Sequence, residues 1–383
     1  MPENKNQHFV PQHYLRRFGH SNGKQICLTN ILSRKHIPAA PIKDQCADDW
    51  FYGKDLIIEK TLLGPAEASC EKILKIICDE RRLPTREEDK DNILVCFPAL
   101  MLGRTREAAN QQKELTNKFA TKFWVEGMKR DKISPPNGMN WEETERCLSV
   151  LPENPAALAL IFSMESSLFL HDLERKILIA PDNREFITSD HPAIIFNQAY
   201  CLKTELSTKG LAVTGTQLIL PLSPSVCLFY FDKSCYRVGR PEKRVIVINP
   251  HDLDHINGLQ VINAGSNLYF SFAVSFNYIA KLLSQFSSRR AARKVDVQPV
   301  HSPSGEVEGL YHRSVDIRMD PKWSFCHVKK DARFKSFSHR KCDANMLHDF
   351  YQRTLRLGWI PKELSFFDWI GQVANSPNVD PPD

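Results

Sequence analysis

The sequence predicts an α+β fold: a helical first half that includes one long helix, an antiparallel-rich sheet in the second half, and a basic C-terminal appendage. Three observations lead there. Apolar residues recur at helical spacing from about residue 55 to 170, and the period then switches to two. The strand-like runs that follow lack the regular helical crossovers of a doubly wound parallel sheet.

Taken in order, residues 8–40 read as a short extended lead, one helical turn and a hairpin. Gln25–Thr29 and Arg34–Pro38 are the strands, with Ser21-Asn22-Gly23 as a turn signal. Residues 41–53 are expected to be an irregular loop ending in Trp50, Phe51 and Tyr52. Leu56, Glu59, Leu62 and Leu63 begin the helical region, and Ala66, Cys70, Ile73, Leu74 and Ile77 continue it on one face. After the break at Leu83-Pro84-Thr85, Thr85 and Glu88 have capping-box spacing, and a long helix is predicted from Glu87 past Phe123 with a kink at Pro98. Pro135-Pro136-Asn137-Gly138 is a loop, and helices follow near 140–150 and 155–170.

Lys176–Ala180 and Glu185–Thr188, joined by Asp182-Asn183, are predicted to pair as a hairpin. Ala193–Phe196, Gln217–Leu220, Val226–Phe231 and Arg244–Ile248 are further strands. Asn249-Pro250 should start a helix over 251–264, because Asn is a good N-cap and Pro suits the first turn. A strand at Leu268–Ser271 and a helix over 275–288 complete a main domain of residues 1–288. Residues 289–383 are weakly periodic and basic, with a loop at His301–Gly305, a helix near 343–357 and an apolar patch at Phe366, Phe367, Trp369 and Ile370.

Composition narrows the setting. No run of about eighteen apolar residues exists, so no membrane partner is expected. The opening residues lack the basic-then-apolar layout of a secretory signal, and 11 cysteines, an odd number, lie mostly in apolar stretches without a Cys-x-x-Cys pair. Both point to a reducing, cytoplasmic location. The net charge of +6 permits a polyanionic partner without requiring one. The clusters Arg289, Arg290, Arg293, Lys294 and Lys329, Lys330, Arg333, Lys335 make the C-terminal segment the place where nucleic acid would bind, or else simply a solvated basic face.

His8-Phe9-Val10-Pro11-Gln12-His13-Tyr14-Leu15-Arg16-Arg17-Phe18 resembles the His-Tyr-Val-Pro signature, with its following Tyr-Leu-x-x-Phe turn, of the domain-of-unknown-function family 4238. Ile187-Thr188-Ser189-Asp190-His191-Pro192 is similar to that family's Thr-Ser-Asp-x-Pro element. Glu59-Lys60, Glu67, Arg104-Thr105-Arg106, Leu220–Pro224 and Asn257–Ser271 echo it in the same order along residues 8–275. Phe9 replaces the usual Tyr and Arg106 a frequent Pro, neither of which removes a reactive group. The resemblance implies a fold and a polar site but no settled activity.

Within those stretches His8 and Asp190 stand out, since an imidazole and a carboxylate at the edges of regular structure can serve as acid and base or as metal ligands. The competing role is structural: Asp190 capping a turn, His8 bonding a carbonyl. Glu67 and Glu71 lie one helical turn apart, and Glu59 joins them if the chain turns tightly at Gly64-Pro65; paired carboxylates suit Mg²⁺ or Mn²⁺. Glu71 fits a polar helix face better. Arg104 would hold a phosphate or pair with Glu67. His251 and His255 have metal-ligand spacing, but the intervening Glu of the metalloprotease motif is absent, and acidic residues in the first turn are what a helix N-terminus favours anyway. No Gly-x-Ser-x-Gly elbow and no phosphate-cradling Gly-rich loop occurs.

The expectation is therefore a phosphodiester hydrolase, a nuclease-type effector of defence. His8, Glu67, Arg104 and Asp190 would be its catalytic residues, and Asp190, Glu67 and His8 the ligands of a Mg²⁺ or Mn²⁺ ion. Two alternatives stay open: a non-catalytic module binding protein or nucleic acid, and an enzyme acting on a free nucleotide in a small pocket.

Overall fold

The structure, a computed structural model, describes residues 5–201, 210–290, 295–302, 307–313, 317, 319–334, 340 and 352. In chain order its first elements are β1 (Asn6–His8), α1 (Gln12–Arg16), β2 (Gln25–Asn30), β3 (His36–Pro41) and β4 (Ala47–Asp49). A helical run follows: α2 (Gly64–Asp79), α3 (Ile93–Gly103), α4 (Arg106–Arg130), α5 (Trp141–Cys147) and α6 (Pro155–Glu165). Then come β5 (Glu174–Ile179), β6 (Thr188–Ser189), β7 (Ile194–Phe196), β8 (Gln217–Pro221), β9 (Val226–Phe231), β10 (Tyr236–Val238) and β11 (Val245–Val247). The last are α7 (Pro250–Asn263), β12 (Asn267–Phe270), α8 (Phe276–Phe286), β13 (Asp296–His301), β14 (Val307–Arg313) and β15 (Cys326–Val328). This is an α+β fold with most helices in the first half.

Two sheets organise it. One has the order β11-β5-β9-β8-β7 and is antiparallel except for the parallel β11–β5 pair; the other, β3-β2-β12-β6, is antiparallel throughout. The centre of the five-stranded sheet is covered on both faces, which explains why β9 is buried at every position, whereas the edge strand β3 of the other sheet is mostly exposed. Alternate residues feed two cores: Ile177, Leu218, Leu228 and Tyr230 face the side packed by Tyr14, Ile73 and Phe97. Leu178, Ile219, Cys227 and Phe229 face Leu253, Ile256 and Leu282. Each buried large apolar side chain contributes roughly 1.5–3 kcal/mol.

The expected long helix is two helices. Glu88 N–H does donate to Thr85 Oγ1 (3.2 Å) and Thr85 N–H to a Glu88 carboxylate oxygen (2.7 Å), but only turns follow, and Asn92 at φ 57° starts α3 afresh. Pro98 lies inside α3 without ending it. Lacking an N–H, it frees the Leu94 carbonyl, which accepts the Tyr230 hydroxyl instead. The interruption falls at Arg104-Thr105, where Thr105 turns extended and its Oγ1 accepts Ala108 N–H as the N-cap of α4. Gly103 permits it: an added Cβ would stand 2.4 Å from Ser163 Cβ and 2.7 Å from the Ala159 carbonyl of α6.

The predicted hairpin of 176–180 with 185–188 does not form. β5 takes β9 and β11 as neighbours, whereas Thr188-Ser189 pairs with β12 in the other sheet. The loop expected over 41–53 contains β4, which pairs with β1. Beyond 289, Ile317, Met319, Trp323 and Phe325 are buried in the second core and β15 pairs with β10, so these residues pack on the main body. Apart from residue 352, the helix expected near 343–357 lies outside the described residues, as does the patch at Phe366–Ile370. No helix among the described residues is long and apolar enough to cross a membrane.

Candidate functional site

Three consecutive residues at the break between α3 and α4 each reach a different segment. Arg104 Nη1 donates to Glu67 Oε1 of α2 (2.9 Å) and Nη2 to the His8 carbonyl of β1 (2.8 Å). Thr105 Oγ1 is 2.6 Å from His191 Nδ1. Arg106 forks onto the Asp48 carboxylate and lies over the Phe9 ring at 5.0 Å. A straight helix would direct these side chains around its own axis; breaking it lets them tie β1, α2, β4 and the Asp190 segment together.

Arg104 is 2% exposed and still charged, so its surroundings must compensate it. Glu67 does so, and the Tyr52 hydroxyl bonds the Arg104 carbonyl at 2.8 Å. Tyr52 is placed by Gln7, whose Oε1 accepts Tyr52 N–H (2.6 Å). Arg104 Nε has no hydrogen-bond partner, nor has His13 Nε2. His13 Nδ1 stands 3.7 Å from the other oxygen of Glu67.

These contacts set the protonation states. Burial alone would push Glu67 up, but His13 and the Arg104 guanidinium outweigh it and hold the carboxyl at about 2. Glu59 sits in a π-helical turn, Ile58–Leu63, that runs into α2 without the break expected at Gly64-Pro65. Burial raises its carboxyl; Arg104 offsets part of this and Glu67 adds to it. His8 is lowered, first by burial and then by Arg104, against the Lys43 carbonyl that its Nε2 meets at 3.1 Å. Two carboxylates that feel the same arginine are thus pushed in opposite directions. Glu71, as expected, lies on an exposed helix face.

Asp190 belongs to a different arrangement. Its carboxylate accepts the backbone N–H groups of Gly265 (2.8 Å), Ser266 (2.7 Å) and Asn267 (3.1 Å). Arg290 grips the same turn from its carbonyl side, donating to Val261, Ala264 and Gly265 at 2.8 to 2.9 Å. The turn between α7 and β12 is clamped by opposite charges, and one arginine of the basic C-terminal cluster is committed to it.

Of the four expected residues, then, the structure brings together His8, Glu67 and Arg104 and turns the Asp190 carboxylate elsewhere. Among the described residues no group of three or more His, Cys, Asp or Glu is arranged to hold a metal ion, so His8, Glu67 and Asp190 do not fit the Mg²⁺ or Mn²⁺ ligand set expected of them. His251 and His255 lie ring to ring at 4.3 Å, and the Asp252 between them bonds Ser324 N–H at 3.0 Å. Sequence reasoning missed His13 and Tyr52, whose only local signals were a place in the signature and in an aromatic cluster.

No curated protein and no solved structure matches the chain. A family model does, over residues 6–273, which span the signature, α2, the Arg104 break and Asp190 with the turn its carboxylate binds. The chain therefore belongs to the family described as Protein of unknown function (DUF4238).

Proposed function

We propose that this chain hydrolyses phosphodiester bonds at the junction around Arg104, with His8, Glu59 and Glu67 as the working groups. The supporting observation is the pair Glu59 and Glu67, whose proton affinities are driven apart beside a buried arginine. In this reading Arg104 is a positioning residue, because at 2% exposure it reaches Glu67 and His8 but not a strand. Glu67, ionised and one-third exposed, orients the attacking water. His8, neutral at pH 7 with Nε2 held by Lys43, accepts that water's proton at Nδ1, which the Gln12 amide nitrogen meets at only 3.5 Å, as the new P–O bond forms. Glu59 protonates the leaving oxygen as the old bond breaks, while exposed Arg16 and Lys43 beside His8 hold the phosphate. No step runs through a metal, and the cytoplasm is the proposed place of action.

The test is cleavage of labelled single- and double-stranded DNA and RNA with Mg²⁺, with Mn²⁺ and with EDTA. Cleavage that survives EDTA and falls about 100-fold in Glu67→Gln and His8→Gln, the size of one acid–base contribution, is the expected result. No cleavage of any substrate by the folded protein would refute it. The burial of Arg104 favours a second reading, a non-catalytic module whose polar residues form a structural network. Salt-sensitive nucleic-acid binding without cleavage would establish that one.

A further inference from the structure

A cleft of about 820 Å³ opens where β5 and β9 leave the five-stranded sheet, and none of the residues around Arg104 lines it. Its cationic side chains are Arg175, Lys233, Arg244 and Arg340, against the carboxylates of Asp172, Glu174 and Asp232. Arg340 is fully engaged: it forks onto Asp172 (3.0 and 3.1 Å) and donates to the Val213 carbonyl (3.2 Å). Arg244 at 2.8 Å and Lys233 at 3.8 Å share the single carboxylate of Glu174. Asp232 accepts Gly215 N–H and Ser234 N–H, both at 2.8 Å.

Arg175 is left over. Its guanidinium lies 5.7 Å over the Tyr230 ring and gives one long bond, 3.3 Å, to the His171 carbonyl. Its Nε is buried with no hydrogen-bond partner. A buried N–H without an acceptor is destabilising, so a guanidinium that retains one is suited to an acceptor from outside. Leu83, Pro84, Leu94 and Leu173 line the same cleft and give it an apolar wall. The volume falls within the range of small-molecule sites and is too small for a nucleic-acid strand to thread.

We infer that this cleft binds a nucleoside monophosphate, its phosphate on Arg175 with Lys233 and Arg244, its flat base along the leucine and proline wall. The guanidinium fork matches phosphate geometry. The apolar wall distinguishes this ligand from inorganic phosphate, which would leave it bare. The site is independent of hydrolysis around Arg104, because binding is read without any cleavage assay.

Isothermal titration of the full chain with AMP, GMP, CMP, UMP and inorganic phosphate tests it. At least one nucleotide should bind about tenfold more tightly than inorganic phosphate, and Arg175→Gln should weaken it by about tenfold or more, the worth of one charged hydrogen bond. Lys233→Gln, at a side chain 73% exposed, is the second variant and cannot unfold the sheet; it should weaken the same nucleotide severalfold. Nucleotides binding no better than phosphate, or binding unchanged in both variants, would overturn the inference.

Discussion

The Asp190 clamp and the Arg104 junction are built from the same materials, a carboxylate and an arginine drawn from distant segments, yet they are finished differently. At the clamp both carboxylate oxygens accept backbone N–H groups and the facing arginine donates three hydrogen bonds to carbonyls. At the junction the arginine keeps an unbonded Nε, an imidazole nitrogen has no partner, and two carboxylates hold their protons differently. Satisfied networks rigidify a fold, whereas incompletely satisfied ones are where function is retained against a stability cost. Asp190 looks catalytic in a sequence; its surroundings make it a turn clamp.

Mutations can sharpen or break this contrast. The largest effect should come from Asp190→Ala, which orphans three backbone donors at once. Chemical denaturation should show a loss of about 3–5 kcal/mol, and a loss under about 1 kcal/mol would dissolve the distinction. Glu67→Gln should do the reverse. We expect phosphodiesterase activity to fall about 100-fold, about 2.7 kcal/mol of barrier, with a smaller loss of folding stability. Gly265→Ala would place a Cβ 3.2 Å from Asp190 Oδ2, tight enough to push the carboxylate off its donors. A stability loss of about 1 kcal/mol is expected, with activity unchanged.

The last effect is a pH dependence. The folded Glu67 carboxyl, at about 2, lies below its ordinary value of 4.5. Its stabilising contribution is complete above the unfolded value and is lost as pH falls through the folded one. Unfolding curves recorded at about pH 5 and about pH 3 should therefore diverge less for Glu67→Gln than for the parent chain. Equal divergence in both would show that Glu67 is not held down by His13 and Arg104.

Much of this was legible in the chain itself. Asn249-Pro250 announces α7, and the Asn249 side chain does accept Asp252 N–H at 2.8 Å. Ala66, Cys70, Ile73, Leu74 and Ile77 are the buried face of α2, as their spacing requires. The order of family-like segments located His8, Glu67 and Arg104, which the fold then joined. These signals are local: a cap acts within one turn, and a periodic face is set by helix geometry alone.

Tertiary structure decided the rest. Nothing within the stretch 87–123 says that the helix must break at Arg104-Thr105, because those residues are compatible with a helix. The break is made worthwhile by Glu67, 37 positions earlier by residue number, and by His191, 86 positions later. Likewise 176–180 and 185–188 are strand-like runs joined by a turn signal, but β5 pairs instead with β9, which is buried at every position, and with the edge strand β11. The role of Asp190 depended on three N–H groups 75 to 77 residues away. Residue type and spacing determine which local structures are available; which donor meets which acceptor is settled only when distant segments compete for the same buried space.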